Sequence, residues 1–152
     1  DPPAPVHRQV VHLADLKHGQ SVPEAKGNVA TRVTTQYEAI LMLRGLVAEA
    51  ERRMAAYAEM GRSGFVKDAP DPLTYGIVDE ANRLLEKGAP FRDEAALLIK
   101  ELGRTGRPVG VGIIIAAQAG HLDELGGSDT LRAMLKEGEV ILLRWSSAMM
   151  QQ

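Results

Sequence analysis

Short, largely apolar runs that each end on a polar side chain are the feature that most restricts how this chain can fold. Three such runs lie at residues 10–14, 73–78 and 108–117. Strands that are covered on both faces of a parallel sheet have this nearly continuous apolar character. Because segments of helical character separate the runs, the sequence predicts an α/β fold in which helices flank a mainly parallel sheet.

The most periodic segment between these runs predicts a long helix from Thr35 to Met60. Thr34 or Thr35 is placed to cap its N-terminus, and Glu38 is placed to complete a capping box. A second helix is predicted over residues 92–102. The residues expected to form the apolar face of the long helix are Tyr37, Ile40, Leu41, Val47, Ala50, Met54 and Tyr57.

The remaining segments are predicted from their turn-forming residues and their apolar content. Residues 20–35 contain Pro, Gly and Asn, which predict a loop. Residues 128–135 predict a short helix capped by Ser128 or Asp129. Residues 139–145 predict a fourth strand.

Composition sets limits on the class of protein. A chain of 152 residues has the size of one domain and can bury a core. The net charge of −2 includes no strong basic excess, so any contact with nucleic acid must come from local patches or from an oligomer. The absence of cysteine excludes disulfides and thiolate metal sites. No apolar run reaches the ~20 residues that span a bilayer.

Polar groups at the carboxyl ends of the strands are the main candidates for function. Parallel strands would bring Asp15 to Lys17, Asp79-Glu80 and Gln118 to one edge of the sheet. In a phosphate-transferring site the first acid of such a pair holds Mg²⁺ and the second polarises water. Acids also favour helix N-termini, and a strand-end Gln can simply face solvent. The residues alone leave both interpretations open.

Basic residues add a second group of candidates. Arg104 and Arg107 precede the third apolar run, and arginine suits the spread charge of a phosphoryl group, including one across a subunit boundary. A solvated turn is the more common setting for such residues. Arg52 and Arg53 lie in the long helix and are predicted to face solvent. The histidines lack zinc-type spacing and are predicted to lie at the surface or at strand edges: His7, His12, His18 and His121.

The order of these segments resembles the motor domain of FtsK/SpoIIIE-type DNA translocases, including actinobacterial plasmid-transfer proteins. "LADLKHG" is similar to the family's strand that ends in Asp-x-Lys, and "LVAEAERRMAAYAEMG" to its helix with Glu-x-x-Arg-Arg. "YGIVDEANRLL" is similar to the Walker B strand. "GRPVGVGIIIAAQ" resembles the turn and strand that end in a sensor Gln, and "GEVILLRW" resembles the next strand. The likeness runs in order over nearly the whole chain.

The resemblance implies ATP and Mg²⁺ as cofactors and assigns roles to individual residues. Asp79 would be the Walker B acid near Mg²⁺, and Glu80 the catalytic carboxylate. Gln118 would be the sensor glutamine. Arg107 would act in trans on the nucleotide of a neighbouring subunit.

The resemblance also places Asp15 and Lys17 at the edge of the cofactor site. The residues contain no Gly-x-x-x-x-Gly-Lys-Ser/Thr motif, whose amides and Lys cradle phosphates in this class of ATPase. The resemblance implies a RecA-like P-loop NTPase core. Because the motif is missing, it further implies that residues 1–152 form a single partial domain that begins after the P-loop and is inactive alone.

The partners that the resemblance implies are double-stranded DNA and further copies of the chain in a homo-hexameric ring. It implies a cytoplasmic motor domain that regions outside these residues can tether to a membrane. Conjugation and chromosome segregation stay open as the process. Two alternatives also stay open: a secretion or coupling ATPase that moves protein or single-stranded DNA, and a non-catalytic interaction domain without a P-loop.

Overall fold

A computed structural model of the chain describes residues 8–17, 29–67, 69–118 and 141–145; Gln118 and the last segment are described by their backbone alone. The strands are β1 (Gln9–Asp15), β2 (Thr31–Val33), β3 (Leu73–Asp79), β4 (Val111–Gln118) and β5 (Ile141–Trp145). They form one sheet in the order β2-β1-β3-β4-β5, and each neighbouring pair is parallel. The predicted α/β fold with a parallel sheet is confirmed.

Two details of the strand prediction were wrong. Residues 31–33 were predicted to lie in a loop, yet they pair with β1 from His12 to Ala14 and form the edge strand β2. The third apolar run was expected to be extended from Pro108. The strand begins only at Val111, because residues 107–109 form a 3-10 turn and Gly110 follows in the left-handed region at φ 78°.

The long predicted helix is α1, Gln36–Glu59. Thr35 caps it as expected: its side chain accepts a hydrogen bond from the Glu38 backbone N–H at 3.2 Å. Glu38 Oε1 in return accepts from the Thr34 backbone N–H at 3.4 Å. The capping box therefore fixes the point at which the chain leaves β2 and enters α1.

The buried face of α1 differs from the predicted one. Tyr37, Leu41 and Met54 were expected to be buried but are 54%, 44% and 45% exposed. Arg53 was expected to face solvent, yet it is only 1% exposed. The residues that α1 does bury are Ala39, Ile40, Met42, Leu43, Leu46, Ala50, Arg53 and Tyr57.

Contact between α1 and the sheet depends on a glycine in β3. A Cβ atom at Gly76 would lie 2.6 Å from Leu46 Cδ1 and 3.4 Å from Met42 Cε. The absence of a side chain at Gly76 therefore lets α1 pack closely over the centre of the sheet. The core continues from this contact into residues of β3 and β4, such as Val78 and Ile115.

The remaining helices follow the order of the sequence. A short helix, α2 (Asn82–Leu85), comes directly after the acid pair, and α3 (Arg92–Glu101) contributes Ala95 and Ile99 to the core. A π-helical turn, Leu102–Gly106, leads from α3 into the 3-10 turn before β4. The predicted helix at residues 128–135 lies outside the described residues.

Candidate functional site at the carboxyl edge of the sheet

Three neighbouring strands end together at the carboxyl edge of the sheet. Asp15, the last residue of β1, pairs in register with Asp79, the last residue of β3. Asp79 pairs on its other side with Ala116 of β4, two residues before Gln118. The sequence-predicted acid pair and Gln118 therefore belong to adjacent strands and to the same edge, although the described part of Gln118 is its backbone.

Glu80 occupies a strained turn directly after β3. Its φ of 57° lies in the left-handed region, which costs a residue other than glycine about 1–3 kcal/mol. Two hydrogen bonds hold the turn: the Glu80 backbone N–H donates to Asp79 Oδ1 at 3.0 Å, and the Ala81 N–H donates to the Ala116 carbonyl at 3.0 Å. Glu80 itself is 4% exposed. The structure thus confines a carboxylate at the edge where a parallel sheet usually binds ligands.

Lys17 lies directly against that carboxylate. Its Nζ is 3.2 Å from Glu80 Oε1, and this ion pair is formed by a half-buried ammonium and a buried acid. Oε1 receives no hydrogen bond of good geometry from the described residues, so the pairing with Lys17 is mainly one of charge. Lys17 is positioned in turn by Asp15, whose Oδ1 accepts from the Lys17 backbone N–H at 3.2 Å.

Asp15 is engaged on both carboxylate oxygens. Oδ1 accepts from Lys17, and Oδ2 accepts from the Arg32 guanidinium at 3.4 Å. Because Asp15 is fully buried, these two bonds compensate for its loss of hydration. The contacts give Asp15 an internal role beneath the edge, and its place at a cofactor stays a prediction.

Two residues near this edge were not identified from the sequence. Arg32 on β2 neutralises Asp15, but a strand of three residues is too short to show a period. Asn82 follows the acid pair and is 5% exposed, and its Oδ1 has no hydrogen-bond partner among the described residues. A polar residue two positions after Glu80 was the only available signal for Asn82.

The carboxylates at this edge suit a hard cation. Mg²⁺ in nucleotide sites commonly takes one or two protein carboxylates, together with waters and phosphate oxygens. Asp79 ends β3 and is 5% exposed, and one of its oxygens fixes the turn to Glu80. Within the described ranges there is no cluster of three or more His, Asp or Glu side chains placed to hold a metal by themselves. Asp79 is the carboxylate at this edge that would hold such an ion together with a phosphate ligand.

Arg104 and Arg107 lie away from this edge. They belong to the turns that precede β4, so they are at the amino edge of the sheet, and both are exposed. β4 is eight residues long, which separates its two ends by roughly 23 Å. Neither arginine can therefore reach Glu80 of the same molecule.

A cleft elsewhere on the sheet contains none of the predicted site residues. It has a volume of about 490 Å³ and lies between α1 and the amino halves of β1 and β3. Its wall includes Val10, Leu46 and the polar group Glu49, Arg53 and Thr74. His12 also lines it, and burial lowers the pKa of that imidazole.

Among the described residues, no helix is both long and apolar enough to cross a membrane.

Comparison with known proteins identifies the fold. No family model and no curated protein matches the chain. The pCW3 conjugation coupling protein TcpA, in its monomer form with ATPgS, matches with a TM-score of 0.69 at 16% identity, over 90% of this chain and 41% of that one. The cytoplasmic domain of the Thermomonospora curvata type VII secretion ATPase EccC matches with a TM-score of 0.56 at 23% identity, over 77% of this chain and 15% of that one.

A third solved structure, described as an ATPase, matches with a TM-score of 0.59 at 21% identity, over 95% of this chain and 52% of that one. This chain thus spans about half or less of the length of each of these proteins. The resemblance to FtsK/SpoIIIE-type motors is confirmed at the level of the fold. The chain shares the α/β fold of these solved ATPase structures.

Proposed function

We propose that this chain forms part of the hydrolytic site of an ATP-driven motor that moves DNA. The observation that carries the proposal is the placement of Asp79, Glu80 and Gln118 on neighbouring parallel strands at one edge of the sheet. Structures with this fold include a conjugation coupling protein and a secretion ATPase. Because the 152 residues contain no P-loop motif, the phosphate cradle would come from another segment of the motor.

Glu80 is the proposed catalytic carboxylate. Its role is to orient a water molecule and to accept a proton of that water as the water oxygen bonds to the terminal phosphorus, while the bond between that phosphorus and ADP breaks and ADP leaves with the bonding electrons. The turn at φ 57° and the ion pair with Lys17 fix the carboxylate before any ligand arrives. Such preorganisation lowers the cost of reaching the reactive geometry. Gln118, which ends the adjacent strand, is proposed to respond to the phosphate.

Asp79 is the residue proposed to hold Mg²⁺, directly or through water. When bound, the ion supplies charge neutralisation at the phosphate oxygens. The hydrogen bond from the Glu80 N–H to Asp79 Oδ1 couples the two acids, so that their relative position is set by the backbone turn. Asp15 and Lys17 support this arrangement from the adjacent strand.

Arg107 is proposed to act on the nucleotide of a neighbouring copy of the chain. Its position at the amino edge excludes action at the carboxyl edge of its own subunit. In a ring of identical subunits, the amino edge of each subunit can face the nucleotide of the next subunit, so Arg107 would reach that nucleotide. We propose a homo-hexamer as that ring. Arginines supplied in this way stabilise the charge of the phosphoryl group in the transition state.

Substitution of Glu80 tests the hydrolytic role. In the natural full-length protein, Glu80→Gln should lower ATP turnover by about 10²–10⁴-fold, the range for loss of a general base. Glu51→Gln is the matched control, because Glu51 is exposed on α1, away from the carboxyl edge. Turnover close to that of the control would remove Glu80 from catalysis, whereas a lack of turnover in the unsubstituted protein would favour the non-catalytic alternative.

The cargo is tested separately. We propose duplex DNA, and we expect duplex DNA to stimulate turnover of the full-length protein more than an equal mass of single-stranded DNA. The fold is shared with proteins of conjugation and of secretion, so the assay also includes single-stranded DNA and no DNA. Equal turnover under all three conditions would point to a protein cargo instead.

A further inference from the structure

The turn that carries Arg107 is fixed by hydrogen bonds to distant parts of the chain. The Phe65 backbone N–H donates to the Pro108 carbonyl at 2.9 Å, and the Thr74 N–H donates to the Gly110 carbonyl at 2.9 Å. Within the turn, the Gly110 N–H donates to the Arg107 carbonyl at 3.2 Å. Backbone N–H groups thus satisfy three of the four carbonyls from Arg107 to Gly110.

A buried arginine from α1 satisfies the fourth. Nη1 of Arg53 donates to the Val109 carbonyl at 3.1 Å and also to the Gly110 carbonyl at 3.2 Å. Nη2 donates to Thr74 Oγ1 at 2.8 Å, and Nε donates to Glu49 Oε1 at 2.8 Å. Arg53 is only 1% exposed, so every nitrogen of its planar guanidinium is engaged inside the protein.

The glycines on either side of the 3-10 turn, Gly106 and Gly110, are closely packed. A Cβ atom at Gly106 would lie 2.3 Å from the Val111 carbonyl oxygen. A Cβ atom at Gly110 would lie 2.4 Å from the Phe65 ring, and Gly110 adopts φ 78°. Gly106 and Gly110 therefore occupy places with no room for a side chain, and the side chain of Arg107 is exposed.

We infer that Arg53 is a positioning residue that fixes the turn so that Arg107 is presented to a neighbouring subunit. This inference rests on the proposed function, in which Arg107 acts in trans. Burying a guanidinium is unfavourable unless its donors are paired, and here the pairing joins α1, the start of β3 and the turn before β4. The Arg107 backbone is consequently held in place before the subunits meet.

The neighbouring residue Arg52 provides the matched control. It also pairs with Glu49, and it pairs with Asp71 at 2.7 Å, but its side chain is 51% exposed. The hydrogen bonds of Arg52 involve carboxylates only, and none reaches residues 107–110. Arg52→Met therefore removes the same charge from the same helix and leaves the turn intact.

The first test compares steady-state ATP hydrolysis by full-length Arg53→Met, Arg53→Lys and Arg52→Met. We expect Arg53→Met to lower kcat by about 10²-fold with KM for ATP unchanged, as for a catalytic group misplaced by about 1 Å. Arg53→Lys keeps the positive charge but lacks the planar guanidinium with its several donors. Because one ammonium group can still reach part of the turn, this variant should show a smaller loss of kcat. Arg52→Met should retain the kcat of the natural protein. Equal kcat for Arg53→Met and Arg52→Met would overturn the inference.

The second test uses mixed rings and separates positioning from a merely structural role. Arg53→Met subunits keep their own Glu80 but present Arg107 poorly, whereas Glu80→Gln subunits present Arg107 normally. When the two kinds of subunit are mixed in one ring, a nucleotide site can combine the intact Glu80 of an Arg53→Met subunit with the correctly placed Arg107 of a Glu80→Gln neighbour. Activity of the mixture should exceed the sum of the separate activities, and Arg107→Ala should be rescued by Glu80→Gln in the same way.

The outcomes distinguish the inference from the function on which it rests. Full activity of Glu80→Gln or Arg107→Ala alone would refute the proposed function. Rescue of Arg107→Ala without rescue of either Arg53 variant would refute only the inference. If Arg53→Met does not fold, Arg53→Lys replaces it in the mixture. Failure of both variants to assemble would assign Arg53 to the stability of the fold and would also overturn the inference.

Discussion

Glu49 is expected to make the stability of the chain depend on pH in acid. Its Oε1 accepts hydrogen bonds from Arg52 Nη2 at 2.6 Å and from Arg53 Nε at 2.8 Å, and its Oε2 accepts from Arg52 Nε at 3.0 Å. These contacts, with the hydrogen bonds from Arg52 as the largest cause, lower the pKa of Glu49 from 4.5 to about 2. Glu49→Gln removes the titrating group and keeps its size.

The direction of the effect follows from the lowered pKa. The ionised form of Glu49 stabilises the folded state fully above about pH 4.5, and this contribution is lost as the pH falls through about 2. A lowering from 4.5 to about 2 corresponds to roughly 3 kcal/mol in the free energy of unfolding as an upper limit. The side chain is 32% exposed, and screening by solvent reduces the expected contribution to about 1–2 kcal/mol.

Urea denaturation followed by circular dichroism measures this contribution. At pH 6 the natural chain should be more stable than Glu49→Gln by about 1–2 kcal/mol, which corresponds to a midpoint difference of roughly 0.5–1 M urea. At pH 3 the unfolded state binds the proton and the folded state does not, so more than half of the difference should disappear. Glu51→Gln, at an exposed position on the same helix, is the control for the loss of one negative charge. A stability difference of equal size at both pH values would refute the reasoning.

Two further substitutions test other contacts. Lys17→Met should lower kcat for ATP by up to ~10²-fold with an unchanged KM, because Glu80 loses the ammonium group 3.2 Å away. An unchanged kcat in steady-state kinetics would show that Lys17 does not position Glu80. Gly106→Ala should destabilise the chain by about 1–3 kcal/mol in urea denaturation, because the new Cβ would overlap the Val111 carbonyl oxygen, a backbone atom that cannot move aside as a side-chain end can. Gly112→Ala is its control, since the nearest atom there is 3.9 Å away, and equal stability of the two variants would contradict the packing argument.

The strands and their common edge could be predicted because the signal is local. A nearly continuous apolar run identifies a strand that is buried on both faces, and the first acid or amide after it marks the carboxyl end. Parallel pairing then brings these ends together whatever the details of the connections, as the register of Asp15 with Asp79 shows. The position of the proposed site thus follows from the pattern, although the roles of its residues stay predictions.

Features that depend on pairing between distant segments could not be predicted in this way. β2 has three residues, and it becomes a strand only because β1 offers a free edge to pair with. Its Arg32 is important because it neutralises Asp15, which lies 17 positions earlier in the chain. The start of β4 was misplaced for the same reason: the 3-10 turn before it is held by bonds from Arg53 and Phe65, and no local pattern encodes them.

Arg53 shows how the periodicity of a helix can carry more information than the charge of a residue. Consecutive helical residues point about 100° apart, so Arg53 can be buried while Arg52 is exposed, although both reach Glu49. Arg53 follows Ala50 by three positions and precedes Tyr57 by four, which places it on the buried face. A charged residue at such a position implies buried partners. Here the partners are carbonyls 56 and 57 positions away, at the turn that carries Arg107.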